Sequence, residues 1–249
     1  MAFQDHFSGH ADVYRAARPT YPDALFDWLA GQVPKRDVVW DAACGNGQAS
    51  IALARRFDRV IATDPSAQQI ASAEPHPCVD YRVETAERCS LANGSTSLVT
   101  VAQALHWFDH TRFYSEAQRV LRPRGVFAAW GYSDCRIGPA IDRIKDRLYV
   151  ELTGRYWPPE RALLDAGYRT LDFPFAEFAT PKFVMETRWN IVEFLAYLRS
   201  WSATQRYVKA NGEDPVSLVE SDLRTAWGDP AAQRLVHWNF HLRCGRCML

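Results

Sequence analysis

An apolar run, Val38-Val39-Trp40, ends at an acid, Asp41, and is followed at once by Ala42-Ala43-Cys44-Gly45-Asn46-Gly47-Gln48-Ala49-Ser50. A short apolar run that stops at a glycine turn and reopens as a helix is the pattern of a buried parallel strand feeding its crossover helix. The helix is predicted over residues 49–57, and a second apolar run, Arg59-Val60-Ile61-Ala62-Thr63, stops at Asp64. Two successive strands therefore end in carboxylates. In an open α/β sheet, ligands sit outside the carboxyl ends of the strands, so Asp41 and Asp64 are both expected to face one crevice, one that favours hydroxyls and cations.

That expectation separates two cofactor classes. A dinucleotide site needs G-x-G-x-x-G or A and puts a pyrophosphate at the helix N-terminus, where an acid ending the first strand would repel it. Here Gly45-Asn46-Gly47-Gln48-Ala49-Ser50 has serine at the third position. S-adenosyl-L-methionine carries an ammonium, a sulfonium and a ribose diol but no phosphate, and it suits two strand-end acids. A nicotinamide-dependent oxidoreductase is the less favoured reading.

The stretch closely resembles motif I of the class I S-adenosylmethionine-dependent methyltransferases, D-x-G-C-G-x-G, with Ala43 replacing its first glycine. A left-handed backbone at Ala43 would be strained. The resemblance implies a Rossmann-like α/β fold, a seven-stranded, mostly parallel sheet with helices on both faces, its last strand antiparallel, plus a helical lid. It implies cofactor contacts from Asp41, Ala43, Gly45, Asn46 and Gly47. Ile61-Ala62-Thr63-Asp64-Pro65-Ser66 matches the second-strand signature, which implies that Asp64, beside Pro65, takes the ribose hydroxyls. Ala86 and Glu87 fall where the family turns toward the adenine. With Ala43 as the only hint, a protein that binds the cofactor without catalysis stays open as an alternative.

Two further segments resemble the branch that includes trans-aconitate methyltransferase and the type 11 methyltransferases. Tyr14, Arg18 and Tyr21 match its Y-x-x-x-R-P-x-Y-P, which covers the cofactor; an arginine pairs bidentately with a carboxylate and a tyrosine face suits a sulfonium. Tyr14 is thereby expected at the cofactor and in catalysis, Arg18 at the cofactor and Tyr21 at the substrate. Gln103-Ala104-Leu105-His106-Trp107-Phe108 matches a second family motif that lines the cofactor sulfur and the substrate mouth. Gln103 and Ala104 are expected at the cofactor, with His106 and Trp107 at the acceptor. His106 is the natural base if the acceptor is a phenol, amine or carbon acid; a carboxylate acceptor needs none.

Along the rest of the chain, a helix is predicted over residues 23–30, with Asp23 as its cap, and another over 65–73, with Ser66 as cap and Ile70 facing inward. Strands are predicted over 79–83, 97–102, 126–130 and 234–243, with 173–188 read as the sixth strand or a bent hairpin. Helices are predicted over 113–121, 143–152, 161–166, 190–201 and 216–227. Those between the sixth and last strands have no counterpart in the minimal sheet and are expected to form a lid that excludes water. Trp189, Trp201, Tyr207, Arg199 and Arg206 are its candidates for the acceptor pocket, Trp201 foremost.

With 249 residues, 47% hydrophobic, the chain suits a single domain: 1–33 covering the cofactor, 34–133 binding it, 134–249 completing the sheet and lid. Lys+Arg and Asp+Glu both number 29, so no basic excess favours nucleic acid. No apolar run approaches the ~20 residues that span a bilayer, and the N-terminus has no leader pattern, so a cytoplasmic protein without membrane contact is expected. The six cysteines lack the spacing of a metal site, and Cys244-Gly245-Arg246-Cys247 is a lone C-x-x-C. Reduced thiols and no metal are expected. The partner is expected to be a small-molecule substrate, and the assembly a monomer or homodimer.

Overall fold

The computed structural model describes residues 18–248. Tyr14 lies outside the described residues. Five strands, β1 (Val38–Ala42), β2 (Arg59–Asp64), β3 (Val79–Val83), β4 (Thr96–Ala102) and β5 (Leu121–Arg136), pair in parallel in the order β3-β2-β1-β4-β5. The long strand β8 (Arg234–Arg246) runs antiparallel beside β5. The expected sixth strand is split in two: β6 (Ala176–Glu177) and β7 (Met185–Trp189) each pair antiparallel with a different end of β8. The mostly parallel sheet with its reversed final strand is as the sequence implied, with eight strands instead of seven among the described residues.

Both faces of the sheet are buried, because crossover helices cover each. Val39, Val60 and Leu98 pack against helices Asp23–Gln32 and Gln48–Ala54, while Trp40, Val99 and Val101 pack against helix His110–Val120 on the other face. Trp40 and Trp130 are fully buried. Each large apolar side chain so placed contributes about 1.5–3 kcal/mol.

Helix starts differ in detail. Asp23 is not the cap of its helix: Pro22 occupies that position without a side-chain bond, and Asp23 pairs with Arg56 at 3.1 Å. Ser66 does cap helix Ala67–Ala71, accepting from Gln69 N at 3.2 Å, but Gln69 is the buried residue there and Ile70 only half-buried.

β5 runs on past the expected end at Trp130, through Gly131 and Tyr132 to Arg136, and β8 follows it. The pair carries a second core away from the sheet. Tyr132, Cys135 and Trp238 meet Met185, Trp189 and the apolar faces of helices Ile191–Arg199 and Ser217–Trp227. Asn190 and Glu193 close a reciprocal capping box at the start of the first of these helices. The segment read as one helix over 143–152 is helix Pro139–Asp146 continued by a wider π-helical turn, Arg147–Leu152. These elements form the lid.

Candidate active site

The turn after β1 is built from three left-handed residues: Ala43 at φ +54°, Gly45 at +56° and Gly47 at +84°. Glycine tolerates that region and alanine is strained in it. At Gly47 the missing side chain is filled by a neighbour, since an added Cβ would sit 2.2 Å from the Tyr81 hydroxyl. At Gly45 the space is open, with only Gln69 Oε1 at 3.8 Å from such a Cβ, which leaves the backbone approachable. Asn46, between them, is half-buried.

Asp64 ends β2 against this turn. Its Oδ2 accepts from Gly45 N and its Oδ1 from Ser66 N, each at 2.9 Å. These two backbone donors fix the carboxylate plane. The half-buried Pro65 follows it.

Asp41 does not face the crevice as expected. β1 continues to Ala42, so Asp41 lies one residue below the edge, fully buried, its Oδ2 accepting from Ser50 Oγ at 2.6 Å and its Oδ1 from Thr100 Oγ1 at 2.9 Å. Burial pushes its pKa up to about 6 against those two donors, and the charge of Asp64 adds to the rise. The serine that broke the dinucleotide pattern is thus the partner of the buried acid.

Ala86 is buried in the core, and Glu87 Oε1 accepts from Asp109 N at 3.1 Å, which anchors the loop after β4. Gln103 ends β4 with a left-handed backbone at φ +59°. Its side chain extends the ladder that its backbone leaves: Tyr132 N donates to Oε1 at 2.8 Å and Nε2 donates to Tyr132 O at 3.2 Å. The amide lies across Gly131, where an added Cβ would come within 2.5 Å of it. Ala104 is buried behind.

Beyond Gln103 a cavity opens under the lid. His106, Trp107 and Trp201 line it, as expected. Tyr21 packs beneath its wall, 5.7 Å from Trp130 and 6.4 Å from Tyr132. Trp189 packs in the lid core, tilted against Tyr197 and edge-on to Trp238, Arg199 pairs with Asp214 and Glu220, and Tyr207 meets Tyr156. None of these last three lines the cavity.

Among the lining residues that escaped the sequence reading are Tyr132, Trp157, Tyr197 and Arg161. Arg18, expected at the cofactor, also lines the cavity, donating to the Tyr132 hydroxyl at 3.3 Å and to Ser200 O at 3.0 Å, with its guanidinium 5.6 Å over Tyr197. It ties the chain just before helix Asp23–Gln32 to the lid. Arg161 had no sequence signal apart from its place after Tyr156-Trp157-Pro158-Pro159.

His106 is 7% exposed and its Nδ1 lies 3.1 Å from the hydroxyl of the fully buried Tyr168. Burial, reinforced by the positive charges of Arg161 and His110, pushes its pKa down to about 3. The same burial drives the Tyr168 hydroxyl far up. The pair is neutral throughout the physiological range.

A nucleoside-binding α/β protein is what this strand-end acid, glycine turn and covered cavity define. A methyltransferase domain model matches residues 40–129. A Dictyostelium discoideum protein described as a methyltransferase is 34% identical over 229 residues, covering 90% of this chain and 87% of its own. A type II methyltransferase structure from Anaeromyxobacter dehalogenans is 45% identical with a TM-score of 0.87, covering 93% of this chain and 98% of its own. A Schizosaccharomyces pombe methyltransferase is 25% identical, covering 92% of this chain. The chain belongs to the class I S-adenosylmethionine-dependent methyltransferases, in the type 11 branch, and is an enzyme whose methyl donor is S-adenosyl-L-methionine. The residues present fit that donor: an Asp64 oriented for a diol and an approachable backbone at Gly45.

Proposed function

We propose that the protein transfers a methyl group to the carboxylate of a small-molecule acceptor bound under the lid. The observation that carries this reading is the state of His106. With Nδ1 against Tyr168 and the ring buried near Arg161, it is too weak a base to take a proton from a phenol or amine. An acceptor that is already anionic needs no base. The zero net charge of the chain supports a small molecule over a nucleic acid.

When bound, S-adenosylmethionine supplies a methyl on positive sulfur, which a carboxylate oxygen takes by in-line displacement as the C–S bond breaks and its electron pair stays on sulfur. Asp64 would hold the ribose hydroxyls, with Gly45, Asn46 and Gly47 along the methionine part and Pro65, Ala86 and Glu87 toward the adenine. Gln103 and Ala104 form the floor between donor and acceptor. His106 and Trp107 orient the acceptor, and the lid excludes water, so catalysis rests on positioning.

The pH dependence of kcat/KM tests this. No lining group with a shifted pKa titrates between about pH 6 and about pH 9, so the profile should be flat across that window. A rise with an apparent pKa of about 6.5, abolished by His106→Gln, would show a histidine base and overturn the reading.

A further inference from the structure

Among the described residues, the cavity under the lid is lined by two cations, Arg18 and Arg161, and by no carboxylate. Arg18 is drawn into the wall by Tyr132, Ser200 and Tyr197. Arg161 is held differently. Its guanidinium lies 4.5 Å over the ring of Trp157 and 5.9 Å over that of Tyr149, and Nε donates to Asp165 on its own helix at 3.2 Å. The side chain is only 18% exposed.

The rings around it are set by local structure. Tyr149 comes from the π-helical turn, and its carbonyl accepts from Trp157 Nε1 at 3.2 Å, which fixes one ring against the other. Trp201 closes the group, 5.5 Å from Tyr149 and 5.7 Å from Trp157. π-helical turns are rare and recur at functional sites. A guanidinium packed on aromatic faces keeps its planar fork, the geometry that takes an anion bidentately.

We infer that Arg161 recognises the acceptor's acid group, and that the acceptor is a monocarboxylate on a flat unsaturated or aromatic body. This rests on the carboxylate reading above. The wall beyond the guanidinium is Trp157, Trp201 and Tyr197, whose faces match a planar apolar body. Arg18, the other lining cation, is already engaged by Tyr132, Ser200 and Tyr197, so a second carboxylate on the same ligand would be desolvated against those rings.

The test uses the full-length protein loaded with S-adenosylhomocysteine and titrated calorimetrically with trans-cinnamate and with citrate, beside turnover assays with S-adenosylmethionine. Cinnamate should bind at least about tenfold more tightly than citrate, and Arg161→Gln should weaken cinnamate by about tenfold or more. Arg161→Lys should restore part of that loss, because it keeps the charge but not the fork. S-adenosylhomocysteine affinity should be unchanged in both variants, which a misfolded lid would not allow. Cinnamate binding unaltered in Arg161→Gln, citrate preferred over cinnamate, or neither acid bound would overturn the inference. Methylation of cinnamyl alcohol but not of cinnamate would instead overturn the carboxylate reading itself.

Discussion

Ala43 occupies a left-handed backbone position, φ +54°, where the family motif has glycine. An alanine there is strained by roughly 1–2 kcal/mol. Ala43→Gly should therefore raise stability by about 1 kcal/mol after the added freedom of the unfolded chain is subtracted, read as a higher urea midpoint at unchanged m-value. A lower midpoint would mean that the methyl group packs to more effect than the strain costs. This strain was legible in the motif itself. The orientation of Asp41 was not: an apolar run ending at an acid does not reveal that the strand continues one residue further and turns the carboxylate under Ser50 and Thr100. Its folded pKa of about 6 lies above the ordinary aspartate value, so the folded protein holds that proton longer than the unfolded chain does. Stability is then lost as pH rises from about 4 to about 6, by on the order of 3 kcal/mol, and stays lower above. Asp41→Asn cannot ionise. Its stability relative to the parent should improve by a comparable amount between pH 4 and pH 7 in paired urea titrations; a difference independent of pH would contradict the buried-acid account.

At the scale of elements, the parallel strands were legible because a sheet covered on both faces needs continuous apolar runs. The extension of β5 was not, because Gly131-Tyr132-Ser133-Asp134 has the composition of a turn, and what keeps it a strand is β8 on one side and the Gln103 amide on the other. That amide both donates to and accepts from Tyr132, a pairing that a carboxylate cannot reproduce. Gln103→Glu should destabilise the protein by about 1–3 kcal/mol through the carbonyl left facing it, and should raise the acceptor KM more than it lowers kcat, because Tyr132 carries Arg18 at the cavity wall. Equal stability and unchanged KM would show that the ladder with β8 suffices. The lid helices themselves followed the 3.6-residue pattern, yet their amphipathic stripes said only that they pack. Of the lid aromatics and arginines named from the sequence, Trp201 reached the cavity, whereas Arg199 serves Asp214 and Glu220.

For the molecule as a whole, the core of the sheet and the core of the lid are joined by the long strands β5 and β8, with the glycine turn at the sheet edge and the cavity wall under the lid. The donor half was readable because its motif is local in sequence: Asp64 and Gly45, which meet through one backbone hydrogen bond, are 19 residues apart. The acceptor half draws on residues from Arg18 to Trp201, which only the fold brings together. The claim that unites the halves is that the methyl group ends on a carboxylate oxygen, and the bond formed can be read directly. Enzyme, S-adenosylmethionine labelled in its methyl group and a small-molecule extract should give a labelled product that mild alkali converts to volatile labelled methanol, as a methyl ester requires. Label that survives alkali in the product, as an ether, amine or carbon-bound methyl would, contradicts the account.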